Sequence, residues 1–397
     1  MAIGNNVKAY LGIQAGKDTL ATEIIELLPT SASMENAVDS IESEAFTGNR
    51  FTDDGAITSI YPDGDFEIEL TPDQIPAFLL VSGFTETGQA LATQDLAADI
   101  TVDDTTFEPV GLGGMVEGNS ITVDDGTNTE TVDITSIDKK TGIVTVDTAF
   151  TNAFATADGT TISSDSIYDH TFKVSNTLDT WGTGLIDYTD ETMYKEYRGI
   201  KGDSLSFSAQ QKSYISASMS AMGLEGTRVD GSSVTTDYDN INSITEDRLL
   251  SFDTSVAVNS GDITGVVDDI ELNLNNNLDG DDYAINSRIR RDLIATASDA
   301  DVTITTQFNK ADYLDYKSQL EEGTDISLDY NLAPYLDIEL PKVMLTEVAA
   351  PADTQDKITI SMSGNVYNDT TQGSPMIFHV YNSVSTDHKT ELTDGTI

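Results

Sequence analysis

The sequence predicts a mainly β protein: two tandem β-sandwich or barrel domains, each with a short helix, and a small barrel-like β module inserted into the first. Three observations predict it. Apolar and polar residues alternate in many short runs, as half-buried strands require, while helical spacing is scarce. One order of elements occurs twice along the chain. A stretch of Thr- and Val-rich strands with Gly-containing turns interrupts the first occurrence. The expected boundaries are 1–89 with 166–235 for the first domain, 90–165 for the module and 236–397 for the second.

Composition narrows the function classes. The 397 residues include 20 Lys+Arg and 68 Asp+Glu, a formal charge of −48. At roughly 100–200 residues per domain, this length suits two or three domains. Hydrophobic residues make up 38%, too many and too regularly placed for a disordered acidic chain. Binding along a nucleic-acid backbone needs Lys and Arg, and an anionic membrane surface repels such a chain. With no Cys there is no disulfide, thiolate nucleophile or thiolate-held metal. No basic-then-apolar leader opens the sequence, and no window approaches 18 apolar residues. The chain is read as soluble and placed by assembly rather than by export. His170, His379 and His388 share no metal-ligand spacing, so neither a metal nor a cofactor is expected.

Element by element, Val38–Glu42 reads as a strand before a long polar loop, Thr47–Asp63. In Asp65–Leu70, Phe66, Ile68 and Leu70 share one face and Asp65, Glu67 and Glu69 the other. Thr71 suits an N-cap and Pro72 the first helical position of a helix ending at Gly83. Inside the module, 119–126, 131–137, 143–146 and 158–162 read as short strands. Tyr168–Lys173 resumes the first domain, and Ser204–Ala209 and Ser213–Met222 close it. After a polar boundary near Arg228–Asn240, Val267–Glu271 repeats Val38–Glu42. Val302–Thr306 then leads into a helix capped by Asn309 and ended by Gly323. Tyr335–Leu340, Lys357–Tyr367 and Ile377–Asn382 follow as strands.

Two rival chemistries are weak. Asn275–Gly280 matches the first half of an EF-hand loop, but its twelfth position is Asn286 and no helices flank it. A Gly-containing turn is the better reading. Paired carboxylates of a glycosidase have no specificity among 68 acids, and no G-x-S-x-G, P-loop or H-E-x-x-H motif occurs. No enzyme is expected. An acidic calcium-dependent β-rich adhesin or surface-layer protein is the alternative. Adaptation to saline surroundings is a second cause for the acidity.

The order of motifs resembles the tail tube protein of long-tailed, siphovirus-type bacteriophages in its two-domain form. The residues that carry the resemblance are Thr47-Gly-Asn-Arg50, Leu70-Thr-Pro-Asp73, Leu80-Val-Ser-Gly83, Tyr168–Lys173, Gly202–Ser208, Met219–Gly223, Leu274–Leu278, Ile338–Pro341 and Ile377–Asn382. It covers nearly the whole chain except about 90–165. The resemblance implies a virion protein, made in the host cytoplasm, whose copies form rings that stack into a hollow tube for DNA delivery. Partners are the chain itself and other tail proteins at the tube ends, with no membrane. Three chains per ring with pseudo-sixfold symmetry are preferred, and six remain open. Six domains of about four strands, at roughly 4.8 Å spacing and about 45° tilt, give a barrel about 50 Å across, wide enough for a duplex of about 20 Å. A negative wall keeps DNA sliding. Alternation nominates Glu42, Glu44, Asp269 and Glu271 for that wall, with Glu67, Glu69 and Glu339 behind them. In the long loop, Asn49, Arg50, Asp53, Asp54, Tyr61 and Asp63 are expected to contact the stacked ring. The module is expected to project outward.

Overall fold

The computed structural model describes residues 6–43, 55–139, 141–238, 240–244, 247–251, 254–259, 261–262, 267–332, 334–351 and 357–394. Strands fill most of it. The first are β1 (Val7–Gln14), β2 (Glu23–Leu27), β3 (Pro29–Ala32), β4 (Glu35–Glu42) and β5 (Gly55–Glu69). Helix α1 (Ile75–Val81) precedes β6 (Phe84–Asp95), β7 (Thr106–Phe107), β8 (Ser120–Asp124), β9 (Thr129–Asp138), β10 (Ile143–Val146) and β11 (Thr161–Val174). Then come β12 (Trp181–Tyr188), β13 (Met193–Gln210), β14 (Ser216–Met222), β15 (Glu225–Asp230), α2 (Val234–Asp237) and β16 (Asn240–Asn242). The remainder is β17 (Thr254–Val258), β18 (Gly261–Asp262), β19 (Val267–Asn275), β20 (Leu278–Asp279), β21 (Ile294–Ala295), β22 (Asp299–Gln307), α3 (Lys310–Glu322), β23 (Asp325–Leu332), β24 (Leu336–Ala349), β25 (Thr359–Val366), β26 (Ile377–Asn382) and α4 (His388–Asp394).

One wiring occurs twice. In the first half β5 pairs with β14, β14 with β13, β13 with β12 and β12 with β1. In the second, β22 pairs with β25, β25 with β24, β24 with β23 and β23 with β17. Helix α1 follows β5 as α3 follows β22. Even the irregularities match, with a register shift at Gly202/Ser204 in one half and Leu345/Glu347 in the other.

The repeat read from sequence needs one correction. Ala32, Phe66, Met219 and Leu205 form a row across the first sheet. Ile270, Ile304, Met362 and Val348 form the same row across the second. Both hairpins also shift register one step earlier, after Pro29 and after Val267. Pro29, not Val38, therefore stands where Val267 stands. Val38–Glu42 lies farther out, where β4 and the start of β5 continue as a long hairpin arm. Of the polar loop expected at Thr47–Asp63, residues 55–63 belong to β5.

The alternation seen in sequence decides which faces are buried. β22 buries Ala300, Val302, Ile304 and Thr306, and β23 buries Ile326, Leu328, Tyr330 and Leu332. One apolar core runs through both halves, from Phe66 and Phe78 to Leu272, Ile338 and Phe378. Strands β6 and β11 lead out as a stalk, with β11 also paired to β26 at its base and to β8 at its far end, and carry a separate core of Leu96, Phe107, Ile121, Val132, Phe150, Phe154 and Ile162.

The helices differ in how local they are. α3 begins and ends as its sequence dictates: Asn309 Oδ1 accepts the Ala311 N–H at 2.9 Å, and Gly323 closes it at φ 64°. Replacing Asn309 by Ala is expected to cost about 1 kcal/mol, read as a lower urea midpoint with an unchanged spectrum. α1 starts later than Thr71 and Pro72 suggested, with Pro76 in its first turn and no side-chain cap. All seven of its residues are buried, so packing sets its bounds.

Candidate functional site: a polar face and two strand edges

The two halves join edge to edge. β13 pairs with β19, from Ser204↔Asn275 to Gln210↔Asp269. A continuous strip of eight strands results, in the order β4, β5, β14, β13, β19, β22, β25, β24. One face of the strip packs on the core. The other displays Ser, Thr, Asn, Asp and Glu, since neighbours in register present the same face. One row reads Glu69, Ser216, Ser208, Glu271, Thr303, Ser363, Glu347. The next reads Glu67, Ser218, Ser206, Asn273, Asp301, Asn365. The short Ser side chains leave the acids as its tallest groups. Arg248 meets Glu69 at 2.7 Å and Lys357 meets Asp268 at 2.7 Å, both at one end of the strip. Burial, then the neighbouring Glu271, raises the pKa of Asp269.

Of the residues picked from sequence, the fold brings Asp269, Glu271, Glu67 and Glu69 onto this face. Glu42 stands on the arm, outside those rows. Glu339 lies on the part of β24 paired with β23 and β26, with His379 Nε2 at 3.6 Å. Glu44, Asn49, Arg50, Asp53 and Asp54 lie outside the described residues. Tyr61 and Asp63 sit at the root of the arm. Arg290 grips the Asp63 carboxylate with both terminal nitrogens, at 2.5 and 3.1 Å, and stacks 4.1 Å from the Tyr61 ring. The Ile60 N–H donates to the Arg288 carbonyl at 2.8 Å.

Segment 276–298 of the second half therefore lies on the first and reinforces the β13–β19 joint. Buried Asn276 donates to the Ser82 and Gly202 carbonyls at 2.8 and 2.9 Å. Lys201 donates to the Leu293 carbonyl at 3.0 Å. The EF-hand-like residues are thus occupied otherwise, with Asn275 and Asn277 turning their amides to Asp299. In place of a simple turn, β20 and β21 pair within this segment.

Two strand edges end the strip. Among the described residues, no strand pairs with the outer edge of Glu35–Ala37 or of Glu347–Ala349. Pro62, opposite Asn36, lacks an N–H and gives its carbonyl to the Gly223 N–H at 2.8 Å. Asn36 and Pro62 are therefore a non-hydrogen-bonded pair, and the Asn36 backbone N–H and C=O point outward. The arm beyond carries exposed Val38, Ile41 and Ile57.

One cluster escaped sequence reasoning. Glu86, His170 and His388 converge in the interior, although Glu86 lies 84 residues from His170 and 302 from His388. No local spacing could have signalled it. It is the one group of this kind among the described residues.

A family model described as phage tail tube protein matches residues 4–366. Comparison with curated proteins finds no match.

Proposed function

The chain belongs to the phage tail tube protein family, and from that premise we propose that three copies close into a ring whose stacked tube conducts DNA. Its role in the phage tail is structural, and no helix among the described residues is long and apolar enough to cross a membrane. The β13–β19 joint is the observation that carries the ring. It joins one repeat to the next inside a single chain, so the same joint can be made between chains. The edge of β24 corresponds to that of β13, and β3 with the base of β4 corresponds to β19. Leu205 faces Leu274 across the internal joint, and the equivalent pair between chains is Val348 with Asn36. Ring closure would cover both open edges, the usual remedy for unpaired strands. Three chains of eight strands reproduce the barrel of about 24 strands and about 50 Å that suits a duplex.

In this reading Asp269, Glu271, Glu67 and Glu69 face the bore, and Glu42 stands on the arm. Exposed Val38, Ile41 and Ile57 support contact of the arm with the next ring, a contact proposed to involve Asn49, Arg50, Asp53 and Asp54 as well. The module on its stalk decorates the outside, and the tail is of the long siphovirus type.

Negative-stain microscopy with solution mass tests the proposal. Hollow rings or tubes, with mass in multiples of three chains, are expected. Rings of six chains would overturn the count, and assemblies without a bore would overturn the tube.

A further inference from the structure

The chain has three histidines, and all lie on one seam where β11 of the stalk meets β26 and the C-terminal segment. Two of them share Glu86 of β6. His170 is fully buried and the Glu86 side chain is 5% exposed. His170 Nδ1 lies 2.6 Å from Glu86 Oε1, and its Nε2 lies 2.9 Å from the Val384 carbonyl. The His388 backbone N–H donates to Glu86 Oε2 at 2.8 Å, and its Nδ1 lies 3.3 Å from the same oxygen. The two rings meet edge to face at 4.2 Å.

Hydrogen-bond roles fix where the protons sit. A carbonyl only accepts, so His170 Nε2 carries a hydrogen. A neutral ring would then aim the Nδ1 lone pair at a carboxylate oxygen. A second hydrogen on Nδ1 removes that conflict and makes His170 an imidazolium that donates at both ends. Asn382 Oδ1 accepts the Val384 N–H at 2.9 Å, which turns its NH2 toward His388 Nε2, also at 2.9 Å. His388 therefore accepts at Nε2 and, when neutral, donates from Nδ1. A divalent cation bound to both Nδ1 atoms would move the His388 hydrogen to Nε2, against the NH2 group. The pattern fits protons and does not fit a metal. Burial pushes the Glu86 carboxyl up, but hydrogen bonds from His170 and His388 outweigh it and hold it at about 2.

We propose that Glu86, His170 and His388 form a proton-dependent clasp that locks the C-terminal segment, Asn382–Asp394, to the stalk. This inference is independent of the tube reading. The clasp holds while His170 carries both ring hydrogens. Loss of the Nδ1 hydrogen would set the ring lone pair against the Glu86 carboxylate and release the clasp. Asp387 and Glu391 on the C-terminal segment also face it, with Glu23 of β2 acting on Glu391. The segment it holds is a strap, since α4 packs on β1, β2 and α1 of the first repeat.

The test labels only histidine with nitrogen-15 in the full chain, giving three rings to follow by side-chain NMR. At about pH 6, one ring is expected with both nitrogens protonated and another as the Nδ1–H tautomer. Trypsin cleavage after exposed Lys389, normalised to a free peptide of that sequence, should rise roughly tenfold by about pH 9. The double variant Glu86→Gln/His170→Gln should lose that pH dependence. Should it fail to fold, Asn382→Asp is expected to place a second imidazolium at His388. A neutral His170 at about pH 6, pH-independent cleavage of the wild type, or one equivalent of tightly bound zinc would each overturn the clasp.

Discussion

Replacing Asn36 by proline is expected to leave the chain folded and abolish ring closure. The Asn36 N–H points away from β5, so its loss spares the hairpin that holds β4 in place. The proposed joint places that N–H opposite Val348 of the next chain. A lost ladder bond costs about 1 kcal/mol, and the proline ring adds a clash with the incoming strand. The loss recurs at every joint, so a ring of three weakens by roughly a hundredfold or more. Circular dichroism should match the wild type while solution mass stays at one chain. The Asn36 side chain also donates to the Gly226 carbonyl at 3.0 Å, so Asn36→Ala serves as the control. Rings from the proline variant would sink the joint, and loss of rings in the alanine variant alone would shift the effect to the side chain.

The second large effect concerns the polar face. Glu67→Lys combined with Glu271→Lys should leave tubes intact but cut DNA delivery by roughly tenfold or more. Both acids are exposed on the strip and have Ser, Asn or Thr beside them in register, so neither substitution buries a charge. Lysines there would bind phosphates and release counterions, which turns a repelling wall into an adhesive one. Plaque counts per assembled virion measure the effect, and higher salt should ease it. Normal infectivity with both changes present would count against this face lining the bore.

Much of this was legible in the sequence because strands declare themselves through a two-residue period. Phe66, Ile68 and Leu70 are buried as their alternation requires, and Asn309 and Gly323 bound α3 because caps are local chemistry. Register was not legible. Val38-Asp-Ser-Ile-Glu42 and Val267-Asp-Asp-Ile-Glu271 look alike, yet they occupy different rungs, because pairing is fixed by β5 and β22 rather than by the strand itself. The polar rows were half visible. Which acids stand on which strand could be read, but not that β13 brings Ser208 beside Glu271. The histidine cluster was invisible, since its members come from β6, β11 and α4 and share no sequence neighbourhood.

The arm belongs to the first repeat alone, for in the second the corresponding hairpin stops at Asn275 and Asp299 and the chain folds back over its neighbour. A ring of three such chains would look sixfold to anything travelling down its bore and threefold to the ring above it. Stacked rings could then be keyed at three angular positions instead of six. Each added layer would inherit its rotation from the one below, and the finished tube would transmit a twist from end to end like a shaft with splines.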